Sequence, residues 1–254
     1  MVSNITISGV LKQLSKDSKI IREHNIRALS GEESYITTIR AYDELLSRTD
    51  DSPVLIRAFL FAIEKHDGQW YQWKGKKQLP YSYHLCKCAI HTINFGAKKN
   101  QVIIALWHDI IEDRRATIKD IAAELKKTAY LGTDAKVILD AVLLLDKNGI
   151  TSDKYFRKIV ADRNVTLVKA ADLAANLDAC IARFDEMIRG KQRFWIYQYL
   201  AEIPELFLSK IKQKYVSEKI TASISGKIST LYSSLPEKKR IEFENYVRRR
   251  NNGD

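Results

Sequence analysis

Glycine and proline number ten and four in this chain of 254 residues. So few turn-forming residues leave little material for the tight turns of a β-sandwich, and they favour helices joined by short connections. The expected fold class is all-α. The length suffices for one large domain with a buried core, or a domain with terminal extensions. The 45% apolar and 29% charged residues are ordinary for a globular protein.

Three cysteines, Cys86, Cys88 and Cys180, have neither the number nor the spacing of a disulfide framework. Cys86-Lys87-Cys88 is not a zinc spacing. The first twenty residues lack the continuous apolar core of a signal peptide, and no stretch approaches the ~18 apolar residues of a membrane span. These features point to a reducing, cytoplasmic setting with no membrane partner. The net charge is +11, and from Ser209 onward eleven Lys/Arg against five Asp/Glu supply +6 of it. A basic balance suits an anionic ligand. For the C-terminal stretch alone, a solvated basic surface is the plainer expectation, and nucleic acid is not the expected partner.

The periodicity predicts helices over 5–25 and 34–48, then one opened by Ser52-Pro53 through VLIRAFLFAIEKH. Residues 67–80 break the pattern and read as a loop rich in Lys, Trp and Gln. Helical patterns resume at Tyr81–Asn94 and at Lys99–Asp113. Thr117-x-x-Asp120 resembles a capping box ahead of IAAEL, and Gly132 stops that helix. Further helices are expected over Asp134–Asp146, Lys154–Val160, Val165–Ile188, Gln192–Lys212 and Tyr215–Leu231, with Pro236 opening a last basic one. The expected division is an N-terminal extension 1–50, a central domain 51–208 and a basic C-terminal extension 209–254.

The sharpest feature is Trp107-His108-Asp109-Ile110-Ile111-Glu112-Asp113. Four ionisable groups interrupt an apolar helix. On a helix, His108 and Glu112 share one face, and Asp109 and Asp113 the neighbouring one. Burying these groups without partners is costly. A divalent cation resolves the cost, with His108 and Asp109 as adjacent ligands and Glu112 and Asp113 reaching toward an attacking water. The plainer alternative is an acidic helix end with an ordinary histidine, but acids at a helix C-terminus oppose the dipole. Two more ligands are available: His84 just inside a helix start, and Asp172 in an alanine-lined helix with Lys169 and Asn176 close on the same face. Two histidines and two carboxylates suit one Mn2+ or a similar ion better than a closed structural zinc site.

These pieces resemble the hydrolase domain of the RelA/SpoT alarmone enzymes, within the HD-domain phosphohydrolases. The matching segments are Glu64-Lys65-His66-Asp67-Gly68-Gln69, Pro80-Tyr81-x-x-His84, His108-Asp109-Ile110-Ile111-Glu112-Asp113 with Thr117 after it, and Leu167-Val168-Lys169-Ala170-Ala171-Asp172 with Asn176. Together they span roughly residues 55–205. The resemblance implies an HD-domain helical bundle with extra N- and C-terminal helices. It implies His84, His108, Asp109 and Asp172 as metal ligands, Glu112 and Asp113 as the groups that activate or orient water, and Asn176 as a substrate contact. The implied reaction removes the 3′-pyrophosphate of ppGpp or pppGpp, giving GDP or GTP and pyrophosphate, as in the stringent response. Two departures stand out. Leu173 follows Asp172 where the family carries Arg or Lys, and the segment before Pro80 is longer than usual.

Further substrate contacts are expected from Lys74, Lys76 and Lys77 in the 67–80 loop, and from Lys147, Tyr155 and Lys169. His66 is expected to brace the loop, and Trp107 to sit in the core. Two other readings stay open: hydrolysis of a different nucleotide, such as an adenosine alarmone or NADPH, and a non-catalytic protein that binds through its basic C-terminal helix. A homo-oligomer is compatible with either.

Overall fold

The structure is a computed structural model that describes residues 32–49, 52–72, 78–127, 133–211 and 215–252. The expected helix over 5–25, Gly132, and Lys74, Lys76 and Lys77 lie outside the described residues. The described residues form twelve α-helices and one two-stranded sheet, so the all-α expectation holds. They divide into two units, 1–148 and 149–254, and this boundary falls inside the stretch 51–208 expected as one domain.

In the first unit the organising element is α4 (Lys99–Trp107). Every residue from Gln101 to Trp107 is buried, as a helix that is apolar all round requires. It packs against α2 (Pro53–Lys65), α3 (Tyr81–Asn94) and α6 (Thr133–Leu145). The Trp107 indole N–H donates to the Ala58 carbonyl of α2 at 2.9 Å, so this tryptophan is a core residue as expected. Helix α1 (Glu32–Ser47) lies on α3, where the hydroxyls of Tyr42 and Ser82 are 2.5 Å apart. Thr117 caps α5 (Ile118–Lys127) reciprocally. The Asp120 carboxylate accepts from the Thr117 N–H at 2.8 Å, and the Thr117 hydroxyl accepts from the Asp120 N–H at 3.3 Å. Glu124 of α5 is buried and receives Arg57 of α2 on both carboxylate oxygens.

The expected 67–80 loop differs from the structure. Its ends pair as an antiparallel ribbon of β1 (Trp70–Gln72) and β2 (Gln78–Pro80), in the register Tyr71 opposite Leu79. Three-residue strands are too short to leave an alternation signal. Gly68, at φ 72°, supplies the left-handed backbone that turns the end of α2 into β1.

The second unit contains α7 (Ser152–Ile159), α8 (Arg163–Ala182), α9 (Phe184–Arg189), α10 (Arg193–Glu202), α11 (Glu218–Ser233) and α12 (Glu237–Asn252). The alanine-rich α8 is buried along most of its length and packs on α11, with Lys227 paired to Asp178. The single helix expected over Val165–Ile188 breaks at Arg183 (φ −113°, ψ 13°), with no Gly or Pro in the sequence to mark it. The helix expected over Gln192–Lys212 ends as an α-helix at Glu202 and widens into π-helical turns over Ile203–Leu208. Pro204 is the cause: it has no N–H, and its ring crowds the preceding turn. Helix α12 opens after Pro236 and is tied to α10 by Arg193–Glu242, 2.6 Å, and by the Tyr197 hydroxyl donating to the Lys239 carbonyl, 3.2 Å. Among the described residues, no helix is long and apolar enough to cross a membrane.

Candidate metal centre

Helices α3 and α4 pack together in the first unit, and their facing ends carry the site. His84 lies in the first turn of α3, and His108 directly follows α4. Both are buried, at 3% and 2% exposure. Their Nε2 atoms are 3.3 Å apart. Asp109 Oδ2 lies 2.8 Å from His108 Nε2 and 3.7 Å from His84 Nε2. All three ligand atoms lie within 4.8 Å of one another.

The tautomer of His108 follows from its other nitrogen. Nδ1 lies 2.8 Å from the Ala105 carbonyl oxygen, which can only accept, so Nδ1 carries hydrogen. In a neutral ring Nε2 is then a lone pair, and it faces a second imidazole nitrogen and a carboxylate oxygen. The His108 Nε2 lone pair and the Asp109 oxygen are both acceptors 2.8 Å apart, and a proton or a metal ion beside them relieves their repulsion. A backbone carbonyl on the far nitrogen is the arrangement that orients metal-binding histidines. Two imidazoles and one carboxylate form a mixed donor set that fits a first-row divalent ion and leaves coordination positions open.

Aromatic rings and a tyrosine hydroxyl hold these three side chains in place. Tyr81, the first residue of α3, donates its hydroxyl to Asp109 Oδ2 at 2.5 Å. Tyr71 of β1 stacks on the His84 ring, 5.2 Å between centroids and 10° between planes. His66 stacks on Tyr81 at 5.0 Å and is buried, and burial lowers its pKa. The brace expected of His66 is present: its Nδ1 meets Gln69 Oε1 at 2.8 Å, while its buried Nε2 has no hydrogen-bond partner among the described residues.

The acidic segment departs from the expectation. The helix stops at Trp107, and 108–116 are tight turns. The N–H of Ile110 bonds to Trp107 O at 3.1 Å and that of Arg114 to Ile111 O at 2.9 Å, both spanning three residues. Arg114 adopts φ 55°, and the N–H groups of Arg115 and Ala116 then both return to Ile110 O. Three carboxylates at a C-terminus oppose the helix dipole, and the regular helix ends ahead of them. One four-residue bond remains, from the Asp113 N–H to Asp109 O at 2.8 Å, and the three carboxylates meet different partners. Asp109 meets the histidines, Glu112 accepts from the Lys147 backbone N–H at 3.3 Å, and Asp113 Oδ2 accepts from Gln69 Nε2 at 2.6 Å.

Three of the four expected ligands thus converge. The fourth, Asp172, belongs to the second unit, where it is buried on α8. One of its oxygens receives Lys169 Nζ and the other Asn176 Nδ2, each at 2.7 Å. Lys169 Nζ also lies 5.5 Å from the centre of the Tyr155 ring, and Tyr155 is itself buried. Two residues with no role assigned from sequence, Gln69 and Arg115, join the site through contacts spanning 44 and 46 residues. The cysteines stay outside the donor set. All three are buried and none forms a disulfide among the described residues, and burial pushes up the thiols of Cys86 and Cys180, the latter to about 12.

No family model, curated protein or solved structure matches this chain.

Proposed function

We propose that this protein is a divalent-metal-dependent phosphohydrolase of the HD type, acting on the 3′-pyrophosphate of guanosine alarmones with Mn2+ as its metal. The observation that carries the metal reading is the meeting of His84 Nε2, His108 Nε2 and Asp109 Oδ2 with the His108 tautomer set by Ala105. The alarmone reading rests on the resemblance of the segments around Gln69, His84, His108 and Asp172 to the RelA/SpoT hydrolase domain.

His84, His108 and Asp109 would hold the ion, and the resemblance adds Asp172. A divalent ion supplies a lowered pKa for a coordinated water and polarisation of a phosphoryl oxygen. The chain's own groups do the rest. Tyr81 keeps Asp109 in its ligating orientation through the 2.5 Å hydrogen bond. Glu112 and Asp113, held by Lys147 N and Gln69, offer carboxylate oxygens to take the proton of the attacking water and orient it. Attack on the phosphorus bonded to the ribose 3′ oxygen breaks that P–O bond, and the nucleotide leaves with a 3′ hydroxyl.

The test is pyrophosphate release with and without Mn2+ across ppGpp, pppGpp, their adenosine counterparts and NADPH. The proposal expects Mn2+-dependent release from the guanosine compounds. Turnover of another nucleotide alone would leave the metal chemistry standing and overturn the alarmone reading. No turnover of any of them would favour the non-catalytic reading.

A further inference from the structure

The tight turn after the acidic segment positions a cation that nothing above uses. At Arg114 the backbone enters the left-handed region, and the next residue is pinned by its N–H donating to Ile110 O at 2.8 Å. That residue is Arg115. Its Nε donates to Gln69 Oε1 at 2.9 Å. The same oxygen meets His66 Nδ1 at 2.8 Å, and the Gln69 amide nitrogen donates to Asp113 at 2.6 Å. Gln69 cannot rotate its amide without losing all three contacts, so it clamps Arg115 and Asp113 in one geometry. Arg115 is exposed and makes no ion pair with any carboxylate among the described residues. Its Nε is engaged by Gln69, and among the described residues no protein group takes a hydrogen bond from its two terminal nitrogens, which form a tethered fork of donors on an exposed side chain.

An oriented guanidinium with no carboxylate partner is the group that recognises phosphate with two parallel hydrogen bonds. We infer that Arg115 is a substrate-anchoring residue, whose guanidinium binds a phosphate group of the substrate beside the metal centre and is aimed by Gln69. This rests on the proposed phosphohydrolase reading for its ligand class, but not on which nucleotide is used. It places a tethered guanidinium beside the carboxylates of Asp109, Glu112 and Asp113. Those carboxylates repel a phosphate unless a guanidinium or metal offsets them.

The experiment is calorimetric titration of the full chain with inorganic pyrophosphate, metal-free and again with Mn2+ in excess of pyrophosphate. Wild type is compared with Arg115→Gln, Arg115→Lys and Arg114→Gln. Losing one charge-assisted, two-point contact predicts an affinity about tenfold weaker in Arg115→Gln. Arg115→Lys keeps the charge and loses both the fork and the Gln69 tether, so it falls between. Arg114→Gln removes the same charge one residue away and should change affinity by less than about threefold, the scale of an exposed charge. Equal losses in Arg114→Gln and Arg115→Gln, no loss in Arg115→Gln, or no pyrophosphate binding by the wild type would each overturn the inference. Mn2+ binding is measured separately on the same proteins. Its absence would overturn the metal reading, while the metal-free titration would still decide the role of Arg115.

Discussion

The ring nitrogens of His84 and His108 face each other at 3.3 Å, with the Asp109 carboxylate 2.8 Å from the second of them. The Ala105 carbonyl holds the proton of His108 on the opposite nitrogen. Removing either ring should therefore remove bound metal. His84→Ala and His108→Ala are expected to lose Mn2+ and activity together. Protons compete with the ion for the ring nitrogens, so affinity should fall as pH drops. Metal analysis after gel filtration checks this. Full occupancy with near-normal turnover in His108→Ala would mean that a proton, not a metal, bridges the pair.

Glu112 and Asp113 point to different partners, Lys147 N and Gln69. Neither carboxylate is a proposed ligand. Glu112→Gln and Asp113→Asn should retain the metal and lose turnover by about 10²-fold, the scale of lost acid–base assistance. Loss of metal as complete as in the histidine variants would make these residues ligands.

Arg114 carries the only positive φ of a non-glycine residue among those described, at 55°. That conformation costs an L-residue roughly 1–2 kcal/mol, and glycine returns part of the gain as extra unfolded-state entropy. Arg114→Gly should raise stability by about 0.5–1 kcal/mol in urea unfolding, on the same grounds. Arg114→Val should lower it, because β-branching worsens the strain. A destabilised glycine variant would show that the Arg114 side chain contributes more than its backbone strain costs.

Glu124 is buried with Arg57 and Lys127 on its carboxylate. Burial alone would raise its pKa, but the hydrogen bonds from Arg57 and Lys127 outweigh burial and hold it below the usual carboxylate range. A folded-state pKa below the unfolded value contributes stability above the unfolded pKa, about 4.3, and that stability is lost as pH falls through the folded value. Arg57→Ala should cost about 1–2 kcal/mol near neutral pH, because Lys127 remains and the Arg57 side chain is half exposed. Its stability should also fall less steeply than wild type during acidification below about pH 4.3. Parallel acid profiles for the two proteins would contradict this account of the pair.

Local signals carried much of the fold. Tyr81–Asn94 is helical over the stretch its pattern predicts, and Thr117 and Asp120 form the box their spacing suggests. That His84, His108 and Asp109 come together is legible in the sequence because ionisable groups in apolar helices demand a partner. What the sequence hid depends on distant contacts or on competition at helix ends. The Trp70–Gln72 and Gln78–Pro80 strands are too short to show a period. The helix end at Trp107 reflects a conflict between an apolar run and the carboxylates beyond it. Gln69 and Arg115 are polar residues of ordinary type, and their roles arise only when the chain returns 44 to 46 residues later.

Solvent oxygen reports metal-dependent cleavage between the ribose 3′ oxygen and its phosphorus directly. Purified protein with Mn2+ is given ppGpp in water enriched in oxygen-18, and the products are read by mass spectrometry. The account predicts one heavy oxygen in pyrophosphate, none in GDP, and no products once the metal is chelated. Heavy oxygen in the nucleotide, orthophosphate as the first product, or turnover that survives chelation would contradict it.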